Sequence, residues 1–429
     1  MKKIKVIVIG AGDRGMGYAR IAKNKFEELY EVIAVADPVE CRRNFVRDLY
    51  NIPEERVFTD WRDVLACGKI ADAVIIATMD RDHFAPTMKA IELGYDIMLE
   101  KPIAPTPEEC AAITKAANER GVKVLICHVL RFTPFYTRLK QLIMEGYVGD
   151  VQVVEQVEHV GLIHQSHSFV RGNWGNSGRA STMLLQKSCH DIDIIQWLID
   201  KRCERVSSFG SLRYFTEENA PEGAPERCLD GCPAAETCPF HAEKLYLGNH
   251  WSRSWFAGAA TKQLRPTEEQ IREALATTNY GRCVFRCDND VVDRQVVNME
   301  FEGGVVASFT MTPFNGWDGG RAIRIMGTKG MLRAATSDKE IFFDNAATGQ
   351  TEMIPVDIGT GSTIVDGHGG GDDGIMSVFC HLVNDEYDGV SAATIETSCK
   401  NHMIVFAAEE AREKGTVVDV REYADRYGM

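Results

Sequence analysis

The sequence predicts an α/β protein in two parts: a parallel sheet wrapped by helices, then an α+β part with a large, mostly antiparallel open sheet. Three observations carry this. The first ~130 residues alternate Val- and Ile-rich runs with helical stretches, the rhythm of strand–helix–strand crossovers. A glycine turn, Gly10-Ala11-Gly12-Asp13-Arg14-Gly15, follows the first run and opens the first helix. From Cys283 to Ala334 strand-like runs follow one another directly, as antiparallel neighbours do. A chain of 429 residues is also too long for one ordinary core. The parts are expected to be residues 1–130 and 131–429.

In the first part, strands are expected at Lys5–Gly10, Glu31–Asp37, Ala71–Thr78, Asp96–Glu100 and Lys123–His128. Helices are expected at Gly15–Phe26, Val39–Leu49, Phe84–Leu93 and Pro107–Arg120. Gly94 and Gly121 stand where helix C-termini are expected. Thr106 with Pro107 and Glu109 reads as a helix start. Beyond Pro134 the rhythm changes. Tyr136–Glu145 and Ser188–Ile199 read as helices, and Val151–Val160 alternates as a strand. Residues 215–240, rich in Pro, Gly, Glu and Cys, read as a long loop, part of a Cys-rich loop insertion near 215–287. Strands follow at Val291–Phe301, Val305–Thr312 and Arg321–Met326, with short edge strands at Ile341–Phe343 and Met353–Val356. A last helix runs from about Ser391 to Lys414.

Composition narrows the function classes. The net charge of −14 repels phosphate backbones and anionic lipid, so neither nucleic acid nor a membrane surface is an expected partner. No apolar stretch approaches the ~20 residues that span a bilayer. The opening apolar run, Val6 to Ile9, is too short for a signal-peptide core, so a cytoplasmic location is expected. The 13 cysteines are then expected to be mostly reduced core residues.

The glycine turn has a chemical meaning in its context. Asp37 ends the second strand about 20 residues beyond it, the spacing of a dinucleotide-binding Rossmann domain. Gly10 allows the tight turn, Gly12 lets main chain approach a pyrophosphate, and Gly15 lets helix and strand pack closely. Asp13 and Arg14 lie within the turn. A carboxylate at Asp37 accepts both ribose hydroxyls and repels a 2′-phosphate. NAD is therefore favoured over NADP, a preference that Arg42 and Arg43 temper.

The fourth strand ends Leu99-Glu100-Lys101-Pro102. A lysine at the carboxyl end of a parallel strand faces the crevice where ligands bind. The run Gly10–Gly15, then Ala77-Thr78 with His83, Glu100-Lys101-Pro102, Arg131-Phe132-x-Pro134 and Cys189-His190-Asp191-Ile192-Asp193 resembles the glucose–fructose oxidoreductase / inositol dehydrogenase / MocA family. Trp197-Leu198 and Gly327-Thr328-Lys329-Gly330 extend the resemblance over nearly the whole chain. It implies that Lys101 contacts the nicotinamide ribose and the reacting oxygen, and that Glu100 positions cofactor. It further implies that Thr78 and His83 border the cofactor cleft and that His190 is the acid/base partner. A homodimer or homotetramer, formed through the open sheet, is implied as well.

The chemistry agrees. Oxidising an alcohol removes a hydride and the hydroxyl proton. An imidazole at His190 takes that proton, and an ammonium at Lys101 stabilises charge on the oxygen. Asp193, one turn on, is placed to orient the imidazole or to cap or pair locally. The family commonly has Asp four residues before the histidine; here stands Gln186, followed by Lys187. Gln carries no charge but hydrogen-bonds hydroxyls, which leaves the substrate open. Arg131, Arg171, Asn173, Trp174 and His368 are further candidates near substrate. Trp174 is placed to stack on a sugar ring, or belongs to a plain surface loop. His368 opens a glycine-rich entry that brings donors to a ligand or is only a turn.

Cys228, Cys232 and Cys238, with Cys283 and Cys287 at a strand start, suggest a structural zinc site in a loop without its own core, or free thiols. The expected activity is NAD-dependent hydride transfer at a hydroxyl carbon of a sugar, sugar derivative or cyclitol. The alternatives are an NAD-bound glycosidase working by transient oxidation and elimination, and a non-catalytic dinucleotide or sugar sensor.

Overall fold

The structure is a computed structural model that describes residues 1–249, 252–315, 319–356, 368–387 and 392–429. Six strands form the first sheet: β1 (Ile4–Ile9), β2 (Tyr30–Ala36), β3 (Val57–Phe58), β4 (Ala73–Ile76), β5 (Asp96–Leu99) and β6 (Val124–Ile126). Their order is β3-β2-β1-β4-β5-β6 and every pairing is parallel. These strands are almost wholly buried, as strands covered by helices on both faces must be. The order reverses between β1 and β4, which opens a crevice at their carboxyl ends. The expected helices Phe84–Leu93 and Pro107–Arg120 form with those bounds, each ending at a left-handed glycine, Gly94 and Gly121. β3 and the helix Trp61–Ala66 were not foreseen, because a two-residue strand carries no periodicity.

The second sheet has nine strands: β7 (Val151–His159), β8 (Cys203–Ser211), β9 (Arg294–Phe301), β10 (Val305–Thr312), β11 (Gly320–Gly327), β12 (Gly330–Ala335), β13 (Glu340–Asn345), β14 (Thr351–Pro355) and β15 (Val418–Asp419). Their order is β14-β13-β12-β11-β7-β10-β9-β8-β15, antiparallel except for β7 with β10. The helix Cys189–Ile199 packs on β7, and Ile395–Lys414 packs on β8 and on Pro107–Arg120 of the first part. Of the expected final helix, Ser391 lies outside the described residues.

Between β8 and β9 the chain first forms the loop expected at residues 215–240, with one short turn at Glu217–Asn219, and then builds helices Ala242–Tyr246, Arg253–Thr261 and Glu268–Thr277. Phe215, Phe240, Tyr246, Phe256 and Phe285 give it an apolar core of its own. Cys283 and Cys287 lie in a turn, not at a strand start. The zinc expectation at Cys228, Cys232, Cys238, Cys283 and Cys287 is not supported. Among the described residues no group of three or more His, Cys, Asp or Glu is gathered to hold a metal. All the thiols are free. Cys228 Sγ instead accepts from the Arg171 guanidinium at 3.3 Å, and Cys287 Sγ donates to the Cys283 carbonyl at 3.3 Å. The phenyl rings, with the cysteines as small apolar fillers, hold this segment together.

The two sheets share side chains. After β14 the helix Gly371–Val383 returns to the first part and seats Ile375, Met376, Phe379 and Cys380 against the core under the first helix, Asp13–Lys25. The main chains also meet, since Ile126 N donates to Ala393 O at 2.9 Å. Each such apolar side chain contributes roughly 1.5–3 kcal/mol by leaving water. Residues 1–130 expressed alone should therefore expose this apolar seam. They should bind a hydrophobic dye and aggregate, whereas the full chain should melt in one transition by calorimetry. Two well-separated transitions of the full chain would contradict the shared core.

Candidate active site

The crevice is lined first by the glycine turn. Gly10 has φ +84°, and a Cβ there would meet the Ala77 carbonyl oxygen at 2.5 Å. A Cβ on Gly15 would meet Gly10 O at 1.9 Å, so helix and strand approach too closely for any side chain. A Cβ on Gly12, by contrast, would meet nothing within 4 Å. Gly12 precedes the helix Asp13–Lys25, whose N-terminus has no side-chain cap. Open space before uncapped N–H groups suits a pyrophosphate. Asp13 is exposed in the first turn of that helix. Asp37 is held by Ala11 N and Val39 N, each at 2.7 Å, one on each carboxylate oxygen. That orients the carboxylate and leaves each oxygen a lone pair for a ribose hydroxyl. The residues present fit a dinucleotide.

The Arg14 side chain does not point at a phosphate position. Its Nε donates to Glu100 Oε1 at 2.7 Å, and Nη1 and Nη2 donate to Asp372 at 2.9 and 2.7 Å. Tyr18 OH donates to Glu100 Oε1 at 2.7 Å and also accepts from Arg14. Burial alone would raise the Glu100 carboxyl, but Arg14, Lys101 and Tyr18 hold it below its ordinary range. Glu100 Oε2 accepts from Lys101 N at 3.1 Å. His368 Nδ1 sits 3.0 Å from Asp372, so this side chain serves the same cluster.

The next two residues are clamped from both parts of the chain. His83 Nδ1 lies 2.7 Å from the Pro102 carbonyl, and its Nε2 lies 3.2 Å from Thr78 O. Thr78 Oγ1 donates to Asp82 O at 3.0 Å. His402 Nε2 accepts from Ile103 N at 3.1 Å, while Nδ1 donates to Ser398 O at 2.8 Å. A histidine that both donates and accepts in this way is neutral. Burial, with His128 nearby, pushes it down to about 3.

Lys101 Nζ leaves this clamp and donates to the main-chain oxygen of Gln186 at 2.7 Å. Its ammonium is the strongest charge acting on His190. His190 is buried on the helix Cys189–Ile199, and its Nδ1 has no partner. Burial first, then Lys101, His128 and Arg321, holds its imidazole well below the ordinary histidine value. A neutral imidazole beside an ammonium is a proton acceptor next to an oxyanion stabiliser. Gln186 Nε2 donates to Trp174 O at 2.7 Å, and its Oε1 is buried without a partner. That acceptor is available to a hydroxyl. Trp174 Nε1 donates to Asp80 Oδ1 at 3.2 Å, tying the second part to the crevice. Asn173 reaches Met79 on the same side.

Expectations at three residues are corrected. Arg131 and Asp193 do not face substrate. Both are buried, and the guanidinium makes two 2.7 Å bonds to the carboxylate, which also accepts from Asn401 at 2.6 Å. Asp193 therefore orients Arg131, not His190. Arg171 is likewise spent, bonded to Arg282 O, Phe240 O and Cys228 within the insertion. The residues missed are Glu158, Asp191 and Arg321. Lys187 Nζ pairs with Glu158 at 2.9 Å, and Arg321 pairs with Glu158 at 2.9 Å and Asp191 at 2.7 Å. Burial raises both carboxyls. Arg321 and Lys187 return Glu158 to below its usual range, while Asp191 stays raised. Gln156 and Glu158 share an inward face of β7 with Val154, and polar residues on an apolar face at period two were the available signal.

Comparison with known proteins agrees with this geometry. The model of the oxidoreductase family, NAD-binding Rossmann fold, matches residues 4–128, and that of its C-terminal alpha/beta domain matches residues 140–420. The chain belongs to this oxidoreductase family, in which glucose–fructose oxidoreductase, inositol dehydrogenase and MocA stand together. Among its relatives is YteT of Bacillus subtilis, 24% identical over 345 residues, 77% of this chain and 76% of that protein. The inositol 2-dehydrogenase/D-chiro-inositol 3-dehydrogenase of Halalkalibacterium halodurans is 28% identical over 202 residues. That match covers 47% of this chain and about half (54%) of the relative. The fold is that of scyllo-inositol dehydrogenase from Lactobacillus casei, solved with NAD(H) and scyllo-inositol. It aligns with TM-score 0.65 and 19% identity over 98% of this chain and 100% of that one.

The buried neutral histidines also set an acid limit. His128 is pushed down to about 4 by burial, and His402 to about 3. Unfolded, each takes a proton near pH 6.5; folded, each refuses it until far lower. Their contribution is full above pH 6.5 and is lost as the pH falls from there towards 4. The slope is up to about 1.4 kcal/mol per pH unit for each. Urea unfolding at pH 7, 5.5 and 4.5 should show this fall, with a shallower slope in His402→Gln. Flat stability across that range would contradict the neutral assignment.

Proposed function

We propose that the protein is an NAD-dependent dehydrogenase acting on a hydroxyl-bearing carbon of a sugar, sugar derivative or cyclitol. The observation that carries this is the neutral, unpartnered imidazole of His190 beside the Lys101 ammonium, at the carboxyl edge of the parallel sheet. When bound, nicotinamide supplies the hydride acceptor or donor. His190 takes the hydroxyl proton at its ring nitrogen during oxidation and returns it during reduction. Lys101 Nζ, anchored on Gln186 O, holds the substrate oxygen as charge develops on it. Gln186 Oε1 accepts from a second hydroxyl, and the Lys187–Glu158–Arg321–Asp191 cluster forms a polar wall beside it. Trp174 ties the Gln186 side chain to the crevice through its own bond to Asp80. The intact pair of Lys101 and His190 speaks for an enzyme over a sensor, which needs no acid/base pair. The inositol dehydrogenase relatives favour a polyhydroxylated ring as substrate.

A cytoplasmic homo-oligomer is part of the same reading. Phe209 and Val296, paired across β8 and β9, are exposed on the face of the second sheet away from its helices, and Val306 shares that face. A second copy of the chain is its proposed cover. Sedimentation should give a dimer or tetramer, with Phe209→Asp shifting it towards monomer; a monomeric wild type would sink this part.

The activity test is a screen of cyclitols, aldoses and sugar acids with NAD, read as nicotinamide absorbance and substrate loss together. With the substrate so found, Lys101→Met and His190→Asn should each lower kcat roughly 10²–10⁴-fold while the fold is kept. Because His190 stays neutral well below pH 6.5, the wild-type oxidation rate should not fall through pH 6.5 on its account. A variant at either position with undiminished kcat would overturn the assignment.

A further inference from the structure

A histidine that takes a proton from substrate must be able to bear the charge. The strongest neighbours of His190 are basic: Lys101, His128 and Arg321. Residue 186, where the family commonly carries Asp, is Gln. An imidazolium held among cations in a buried site is costly, so the charge needs a way out of that position.

The structure offers one, directed inward. Nδ1 is the buried nitrogen of the His190 ring and has no partner. His128, just beyond β6, meets this ring edge to face, with centroids 5.5 Å apart and planes at 80°. His128 is 0% exposed, yet neither of its nitrogens has a hydrogen-bond partner among the described residues. Buried polar groups are rarely left so, because each gives up its bond to water. Its Nδ1 lies 3.9 Å from Asp193 Oδ2. That carboxylate is fixed by Arg131 and Asn401. Burial pushes His128 down to about 4; Asp193 works against burial there, and Arg131 and Lys101 add to it. His402 also meets the His128 ring edge to face, at 5.6 Å, and is itself bonded at both nitrogens. The His128 ring is thus packed against a fixed neighbour. Perpendicular imidazoles at 5.5 Å are within reach of an N–H···N bond once either ring turns about its Cβ–Cγ bond. Bonds of this kind often tighten only when substrate is bound.

We propose that His128 is a positioning residue for the reaction: it holds His190 with Nε2 towards the substrate and receives, from Nδ1, the charge that His190 gains. The proposal rests on the dehydrogenase reading above. During oxidation the substrate O–H bond breaks and an N–H bond forms at His190 Nε2. The N–H bond at His190 Nδ1 breaks, and that proton joins Nε2 of His128. The hydride leaves carbon for the nicotinamide in the same step. His128, already protonated at Nδ1, becomes an imidazolium beside the Asp193 carboxylate. Reduction runs the same transfers backwards. Because cations flank His190, the two protons move together and no charge accumulates on its ring.

The test uses the full chain with saturating NAD and the substrate that the screen identifies. It follows the first turnover, before product release intrudes. In mixtures of H2O and D2O the wild-type rate should fall along a bowed curve, the mark of two protons in motion. His128→Gln keeps a group that can bond to His190 but cannot pass a proton on, and His128→Phe keeps only the ring shape. Each should lose about 10²-fold in kcat with KM unchanged, and each should bind NADH as the wild type does. The H128Q curve should be straight. An undiminished kcat in either variant would overturn the proposal. So would a straight wild-type line, which decides the matter even if neither variant folds. A wild type that binds NADH but oxidises no compound of the screen would sink the dehydrogenase reading and this one with it.

Discussion

One partly buried guanidinium holds the candidate cleft together. Arg14 sits within the glycine turn, yet its charge is given to Glu100, next to Lys101, and to Asp372, on a helix that comes from the far end of the chain. Three segments about 90 and 350 residues apart are thereby fixed around one cation. In a buried setting such an arrangement survives because every partner is paired. Removing one would leave a bare charge costing roughly 3–5 kcal/mol. Spent on this pairing, the Arg14 side chain leaves the N-terminus of the first helix without a side-chain cap.

Much of this was legible in the sequence, and the reasons are local. The parallel strands announce themselves as short apolar runs, and the helices Phe84–Leu93 and Pro107–Arg120 carry glycine stops and a proline start. The glycine turn and Asp37 depend on conformation and charge at neighbouring positions, which a sequence displays directly. What stayed hidden depends on partners distant along the chain. Nothing near Arg131 or Asp193 says that they will neutralise each other, and nothing near Arg14 says that Asp372 waits for it. The cysteine spacing invited a metal because thiol chemistry is visible in a sequence, while the phenyl rings that pack around those thiols come from four separate stretches.

Histidine is used in two ways in this cleft. His83 and His402 act as splints, one from each part of the chain, holding the Pro102–Ile103 peptide by its oxygen and its nitrogen. His190 is kept from any partner on Nδ1. Burial disfavours the charged form of both His402 and His190, but only the His402 ring has both of its nitrogens bonded.

The lysine's anchor separates two jobs that are usually entangled. Its ammonium rests on the backbone oxygen of residue 186, not on that residue's side chain. Any amino acid at this position presents the same oxygen, so the anchor of the Lys101 ammonium is indifferent to what is written there. The side chain is correspondingly at liberty to follow the ligand. On the dehydrogenase reading proposed above, position 186 is a tuning point where selectivity can drift while Lys101 stays in register.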